Sequence, residues 1–134
     1  MSLLIPDDHW AIVTIFQEAE GEPYSGKVAV AEVILRRTQQ KYFSDGTVAS
    51  TCLWPFQFSG WNANTPNRVR SAKIDDTMPA VQECLAAWAE ALTGTNFSHD
   101  ALHYLNPKGL EHLPTWASAD KYAITVGHHD FYLV

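Results

Sequence analysis

Apolar and polar positions fall in blocks along this chain, and the spacing within each block predicts an element. In "PDDHWAIVTIFQEAE", Trp10, Ile12, Val13, Ile15 and Phe16 make a broad apolar stripe behind Pro6 and two aspartates. That pattern predicts a mostly buried helix, capped by Asp7 or Asp8 and ending near Gly21. Pro23 then breaks the chain, because it drives Glu22 out of the helical region. A second helix starts at Ser25 or Gly26 and runs through "GKVAVAEVILRRTQQ", apolar almost all round until Arg36. A helix that apolar must be central to its domain. From Lys41 to Asp76 turn formers and aromatics dominate; a short helix is expected around Thr47–Cys52, with "WPFQFSGW" as an aromatic loop or extended piece. A third long helix covers "TMPAVQECLAAWAEALTG", capped by Asp76 or Thr77 and stopped by Gly94, with Val81, Leu85, Trp88 and Leu92 as its core face. After "ALHYLNP", the segment "YAITVGHHDFYLV" alternates as two short strands around Gly127-His128-His129. The expected class is α+β, helices first and a small sheet or hairpin near the C-terminus.

Composition and charge narrow the function. The 134 residues carry no repeat, no low-complexity tract and no linker, which predicts one domain with a genuine core. The net charge is −6 and the sole basic pair is Arg36-Arg37, which argues against a nucleic-acid partner and against electrostatic attachment to an anionic membrane or wall polymer. Five Trp, five Tyr and six Phe exceed what so small a core requires, and flat rings suit a cleft that takes sugar faces. Cys52 and Cys84 are read as two reduced core thiols, a disulfide being the alternative. The start, "MSLLIPDDHW", lacks a basic segment and an apolar core of signal-peptide length, and no apolar run is long enough to span a bilayer. Synthesis in the cytoplasm without a signal peptide and without membrane insertion is therefore expected.

The chemistry concentrates where the first helix stops. Glu18, Glu20 and Glu22 crowd around Gly21, although like charges repel and the C-terminal end of a helix favours cations. They are either a solvated patch or one of them serves chemistry. Glu18 sits in the last turn, where partial burial, its carboxylate neighbours and the helix dipole all raise a carboxyl pKa. A carboxylic acid kept protonated near neutral pH is what a general acid for glycoside cleavage requires.

"EAEGEPYSGKVAVAEVILRR", "QFSGW", "LHYLNP", a following Trp116 and "TVGHHDFY" together resemble the ordered motif series of the SleB-type cell-wall hydrolases, from Asp8 to Tyr132. That family includes spore-cortex-lytic enzymes and phage wall-degrading proteins. The resemblance implies a lysozyme-like or lytic-transglycosylase-like helical core with a small β element and a substrate groove. From its length and the lack of any linker, residues 1–134 are expected to form a single catalytic domain without a separate wall-binding domain. The implied reaction is cleavage of the MurNAc–GlcNAc bond, with Glu18 as catalytic acid. In a lytic transglycosylase the C6 hydroxyl of the same muramic acid closes on C1, and the same Glu takes its proton, so one carboxyl can suffice where other glycosidases use two. Three positions depart from the family pattern: Glu20 replaces an Arg, Glu32 replaces a small apolar residue, and His128-His129 stands for Asn-His, making His129 the match. Glu32 is read as exposed or structurally paired, with a second catalytic carboxylate as the alternative.

The remaining motif residues divide by chemistry. Gln57, Ser59 and Trp61 are expected to line the groove. Tyr104 and Asn106 are candidates to hydrogen-bond an N-acetyl group or the reacting hydroxyl. Trp116 is a stacking platform or lid residue, and Thr125 and His129 lie on the C-terminal strands. Glu22 is a supporting residue that holds the turn through backbone hydrogen bonds. No metal and no cofactor are expected, and the partner is the peptidoglycan glycan strand, met by a monomer after release from the cell or as a virion component. Muramidase-type hydrolysis is one alternative. The six histidines prompt another, a zinc-dependent wall amidase or peptidase, although no His-Glu-x-x-His occurs and His128 and His129 would point to opposite sides of a strand. A third is a non-enzymatic glycan-binding virion module.

Overall fold

The structure, a computed structural model, describes residues 7–55, 57–58, 61, 75 and 77–133. Among the described residues four helices come first: α1 (Asp7–Ala19), α2 (Tyr24–Gln40), the short α3 (Val48–Leu53) and α4 (Pro79–Leu92). Three strands follow, β1 (His103–Leu105), β2 (Tyr122–Val126) and β3 (His129–Tyr132), with a 3-10 turn at Ala119–Lys121 leading into β2. The strands make one antiparallel sheet in the order β1-β3-β2. This is the helical core with a small sheet that the resemblance implied. The strand in "LHYLNP" is an addition to the two expected from alternation, because three residues are too few to show a period.

Helix α2 is the axis of the domain, as its all-round apolarity predicts. Every residue from Gly26 to Ile34 is buried, and α1, α3, α4 and β2 all contact it. Removing that many methyl-bearing side chains from water is the main force assembling the helices. α2 starts at Tyr24, slightly before the expected Ser25 or Gly26, with Pro23 at its cap position.

Helix α4 corrects the expected face. Val81, Cys84, Ala87, Trp88 and Ala91 are buried, whereas Leu85 and Leu92 are 50% and 51% exposed. Both faces satisfy the helical spacing. The small residues win because they let α4 lie close against α2, which large leucines would prevent. Capping differs too. Asp7 is the first described residue of α1, and its carboxylate accepts the Val48 and Ala49 amides, both at 2.8 Å, adding to the Thr47 cap at the start of α3. The cap position of α4 is Met78 and not Thr77; Asp75, three positions earlier, accepts from the Thr77 amide at 2.9 Å and from its hydroxyl, and Asp76 lies outside the described residues. Cys52 and Cys84 are free and buried, as read, and burial pushes both thiols up to about 12.

Candidate active site

Two junctions place the chemistry. The last turn of α1 brings Glu18 to the edge of the helical core, half-buried. Across from it, β1 presents Tyr104, whose hydroxyl donates to Glu18 Oε1 at 2.6 Å. Tyr104 is held from behind by His129 and Phe131 of β3, with ring centroids 4.9 Å and 5.6 Å away. Burial and the Glu18 carboxylate both hold the Tyr104 phenol well above its ordinary pKa, so it stays a donor.

Beside this pair lies a cavity of about 260 Å³ lined by Arg37, Tyr42, Phe43, Gln57, His103, Tyr104 and Trp116. Arg37 enters it from the end of α2. Its Nε donates to the Leu102 carbonyl at 2.8 Å and its Nη2 lies 3.3 Å from His103 Nδ1. Its guanidinium rests over the Phe58 ring at 4.9 Å. Nη1 is buried without a hydrogen-bond partner, an arrangement that costs about 1–3 kcal/mol in a finished fold. A larger open hollow of about 490 Å³, walled by Ser25, Phe97, Ile124 and Val126 among others, shares no lining residue with this cavity and includes no carboxylate.

The imidazole of His103 is neutral and fixed. An arginine only donates, so Nδ1 accepts, and the ring proton on Nε2 is given to Tyr42 Oη at 2.9 Å. Trp116 covers the ring, nearly parallel at 19° and 4.6 Å. Burial and the adjacent Arg37 lower its pKa from 6.5 to about 4. The folded-state value lies below the unfolded one, so this histidine's contribution is complete above about pH 6.5 and is lost as pH falls toward 4. The drop corresponds to on the order of 3 kcal/mol. Thermal melting of the wild type is expected to weaken across that window, and His103→Gln to melt with a much flatter profile.

The second junction is a latch. Glu22, just after α1, accepts the His128 amide at Oε1, 2.7 Å, and meets His128 Nδ1 at 2.6 Å and His129 Nδ1 at 3.5 Å. Both histidines thus turn to one carboxylate instead of pointing apart, because His128 belongs to the two-residue turn between β2 and β3 and only His129 is in the strand. Burial opposes ionisation of Glu22, but the His128 amide and imidazole and the charges of His129 and His128 outweigh it and hold its carboxyl below 4.5. Burial, assisted by His128 and opposed by Glu22, lowers the His129 pKa. Lys27, 4% exposed, anchors the same segment through the Glu22 carbonyl at 2.6 Å and Glu83 at 3.1 Å. Glu22 is therefore committed to the β2–β3 hairpin and not, as expected, to the turn that follows α1.

Gly127 makes the latch possible. Its φ is +61°, and a Cβ there would lie 2.5 Å from Glu22 Oε1 and 2.9 Å from Pro23 Cδ. Gly127→Ala is expected to lose about 1–3 kcal/mol. Gly109, with φ of +81° and open space around it, provides the control: Gly109→Ala should lower the melting temperature less.

The other sequence candidates scatter. Gln57, Tyr104 and Trp116 meet at the cavity. Trp61 packs edge-on against Trp10 at 5.5 Å and gives its indole N–H to Thr14 Oγ1 at 2.8 Å, which places it along α1, one turn before Glu18. Asn106 is exposed and its side chain accepts the Lys108 amide at 3.0 Å, closing a turn. Thr125 is exposed on β2, donating to Asp130 at 2.6 Å. Ser59 lies outside the described residues. Glu32 is the paired alternative of its reading, 2% exposed and filled by donors from Thr95, Phe97 and Ser98. Arg37, Tyr42 and His103 were missed. The available signal was an arginine closing an otherwise apolar helix, which cannot be buried without partners.

A family model described as Cell Wall Hydrolase matches residues 21–132, beginning just after Glu18. Curated relatives include the spore cortex-lytic enzymes of Oceanobacillus iheyensis and Bacillus subtilis, 34% and 33% identical over 93 residues. Those alignments cover 69% of this chain but 30% and 27% of the relatives, so the chain spans about a third of their length. Among solved structures, the catalytic domain of the germination-specific lytic transglycosylase SleB from Bacillus anthracis matches with a TM-score of 0.72 and 25% identity, covering 98% of this chain and 99% of that one. By family model, relatives and fold together, the chain belongs to the cell wall hydrolase family, of SleB type.

Proposed function

We propose that this chain cleaves peptidoglycan glycan strands at the MurNAc-β-1,4-GlcNAc bond as a lytic transglycosylase, with Glu18 as its single general acid and base. The observation that carries the reading is the Tyr104–Glu18 hydrogen bond of 2.6 Å beside a cavity of sugar-ring dimensions. Glu18 protonates the glycosidic oxygen while positive charge develops at C1 of the muramic acid. Its carboxylate then takes the proton from the C6 hydroxyl as that oxygen closes on C1, forming the 1,6-anhydro ring. Tyr104 holds one carboxyl oxygen throughout, which fixes the plane of the acid and stabilises the carboxylate between the two proton transfers.

Mass spectrometry of the sugars released from purified peptidoglycan tests this. Fragments ending in 1,6-anhydro-muramic acid are expected. Reducing muramic ends would replace the transglycosylase by a hydrolase. Intact glycan with cut peptides would overturn the glycosidase altogether.

A further inference from the structure

The reaction uses Glu18 and Tyr104 but gives no task to the buried arginine next to them. Arg37 is 4% exposed, and the groups that its guanidinium bonds are neutral: the Leu102 carbonyl and the unprotonated Nδ1 of His103. Its Nη1 has no partner at all. A buried cation held in this way is costly, and stability alone gives no reason to place a guanidinium there. Its contacts all fall on one stretch of chain. Arg36 takes the Ala101 carbonyl and Arg37 the next one, that of Leu102, so consecutive arginines of α2 hold consecutive carbonyls on the way into β1. Arg37 also fixes His103, the first residue of β1, and Tyr104 follows it directly. From the other side His103 is pinned by Tyr42 and covered by Trp116.

Strand β1 needs such a hold. It is three residues long, lies at the edge of the sheet and pairs with β3 alone among the described strands. So short a strand has little pairing of its own to set its register, and a slip by one residue turns every side chain to the opposite face. Tyr104 would then leave Glu18. Resting on the glycan-cleaving reading, we propose that Arg37 is a positioning residue of the reaction: its planar fork holds Leu102 and His103, sets the register of β1, and so seats the Tyr104 hydroxyl on the Glu18 carboxyl. Lysine cannot take its place, because a flexible ammonium does not present two donors at a fixed separation. The buried charge works in the same direction. It acts on both Tyr104 and Glu18, and it favours the carboxylate that stands between the two proton transfers.

Two readouts test this: the Tyr104 ring-carbon and hydroxyl-proton resonances of tyrosine-labelled protein by NMR, and kcat and KM on soluble glycan strands. Arg37→Lys should move the Tyr104 signals toward those of a solvated phenol. It should lower kcat about tenfold and leave KM within about twofold, since what is lost is orientation of the acid and not a substrate contact. In the Tyr104→Phe background the same substitution should cost less than about twofold, because residues that act through one another are not additive. Val81→Ala, a core truncation on α4, controls for plain loss of stability: it should lower the melting temperature and leave the Tyr104 signals and kcat in place. Unmoved Tyr104 signals in Arg37→Lys, an equal loss of kcat in both backgrounds, or the same displacement of Tyr104 by Val81→Ala would each overturn the proposal. If Arg37→Lys does not fold, His103→Phe decides in its place. It keeps a flat ring under Trp116 but removes the acceptor of Arg37 Nη2, and Tyr104 signals that stay put then overturn the proposal. Failure of the reaction reads differently: displaced Tyr104 signals, in a protein whose wild type never cuts glycan, sustain the seating of Tyr104 by Arg37 and remove the glycosidase.

Discussion

Glu18→Gln should leave a folded protein that no longer cuts glycan strands, with the rate down about a thousandfold or more. General acid catalysis by one positioned side chain contributes typically about 10²–10⁴, and in the proposed reaction one carboxyl serves both proton transfers. The amide cannot give up a proton to the glycosidic oxygen or receive one from the C6 hydroxyl. Its carbonyl still accepts from Tyr104, so the 2.6 Å contact of the wild type retains an equivalent and the melting temperature should hold. Tyr104→Phe is a softer lesion, expected to lower the rate about tenfold, because the acid survives but loses its orientation. Residual activity of Glu18→Gln within tenfold of wild type, measured by product release from purified peptidoglycan, would remove Glu18 from the reaction.

The second large effect concerns stability. Glu32 is 2% exposed on α2 and accepts from the Thr95 hydroxyl at 2.6 Å, the Phe97 amide at 2.9 Å, and the Ser98 amide and hydroxyl at 2.8 and 2.6 Å. One turn later Arg36 grips the same loop through the Ala101 carbonyl and, at 3.3 Å each, Ser98 and Asn96. The loop needs both grips, because His99 and Asp100 adopt left-handed backbone, φ +51° and +65°. Glu32→Ala strands buried amides and hydroxyls together, and about 3–5 kcal/mol should be lost. That is a melting temperature lower by on the order of 10 °C. Glu32→Gln should fall between, since its amide nitrogen faces donors. A variant that melts like wild type but is inactive would transfer Glu32 from the scaffold to the chemistry. Four donors saturating a carboxylate argue for the scaffold.

The helices were legible because α1 and α2 carry strong local signals, and Gly21-Glu22-Pro23 ends the first of them unambiguously. Glu18 stood out as a candidate for a related reason: a carboxyl at a helix C-terminus is electrostatically out of place. The face of α4 was misjudged because apolarity was weighed by side-chain size, while close approach to α2 selects Ala and Cys. The cavity was half legible. Gln57, Tyr104 and Trp116 stood out within their motifs by their chemistry, but His103 meets Arg37 and Tyr42 only across separations of more than sixty residues. No local pattern encodes such a meeting. Glu22 was seen to support the turn, yet the turn it supports belongs to the opposite end of the chain.

That separation sets an order of assembly. Glu22 and His128 are 106 positions apart, and the sheet order β1-β3-β2 puts the strand made last in the middle. Neither β1 nor β2 has a partner in the sheet until β3 is in place, and closing so long a loop is the slow, entropically costly step. Tyr104, carried on β1, therefore takes its place beside Glu18 late. A chain that lacks β3 therefore also lacks the pairing that seats Tyr104 beside Glu18.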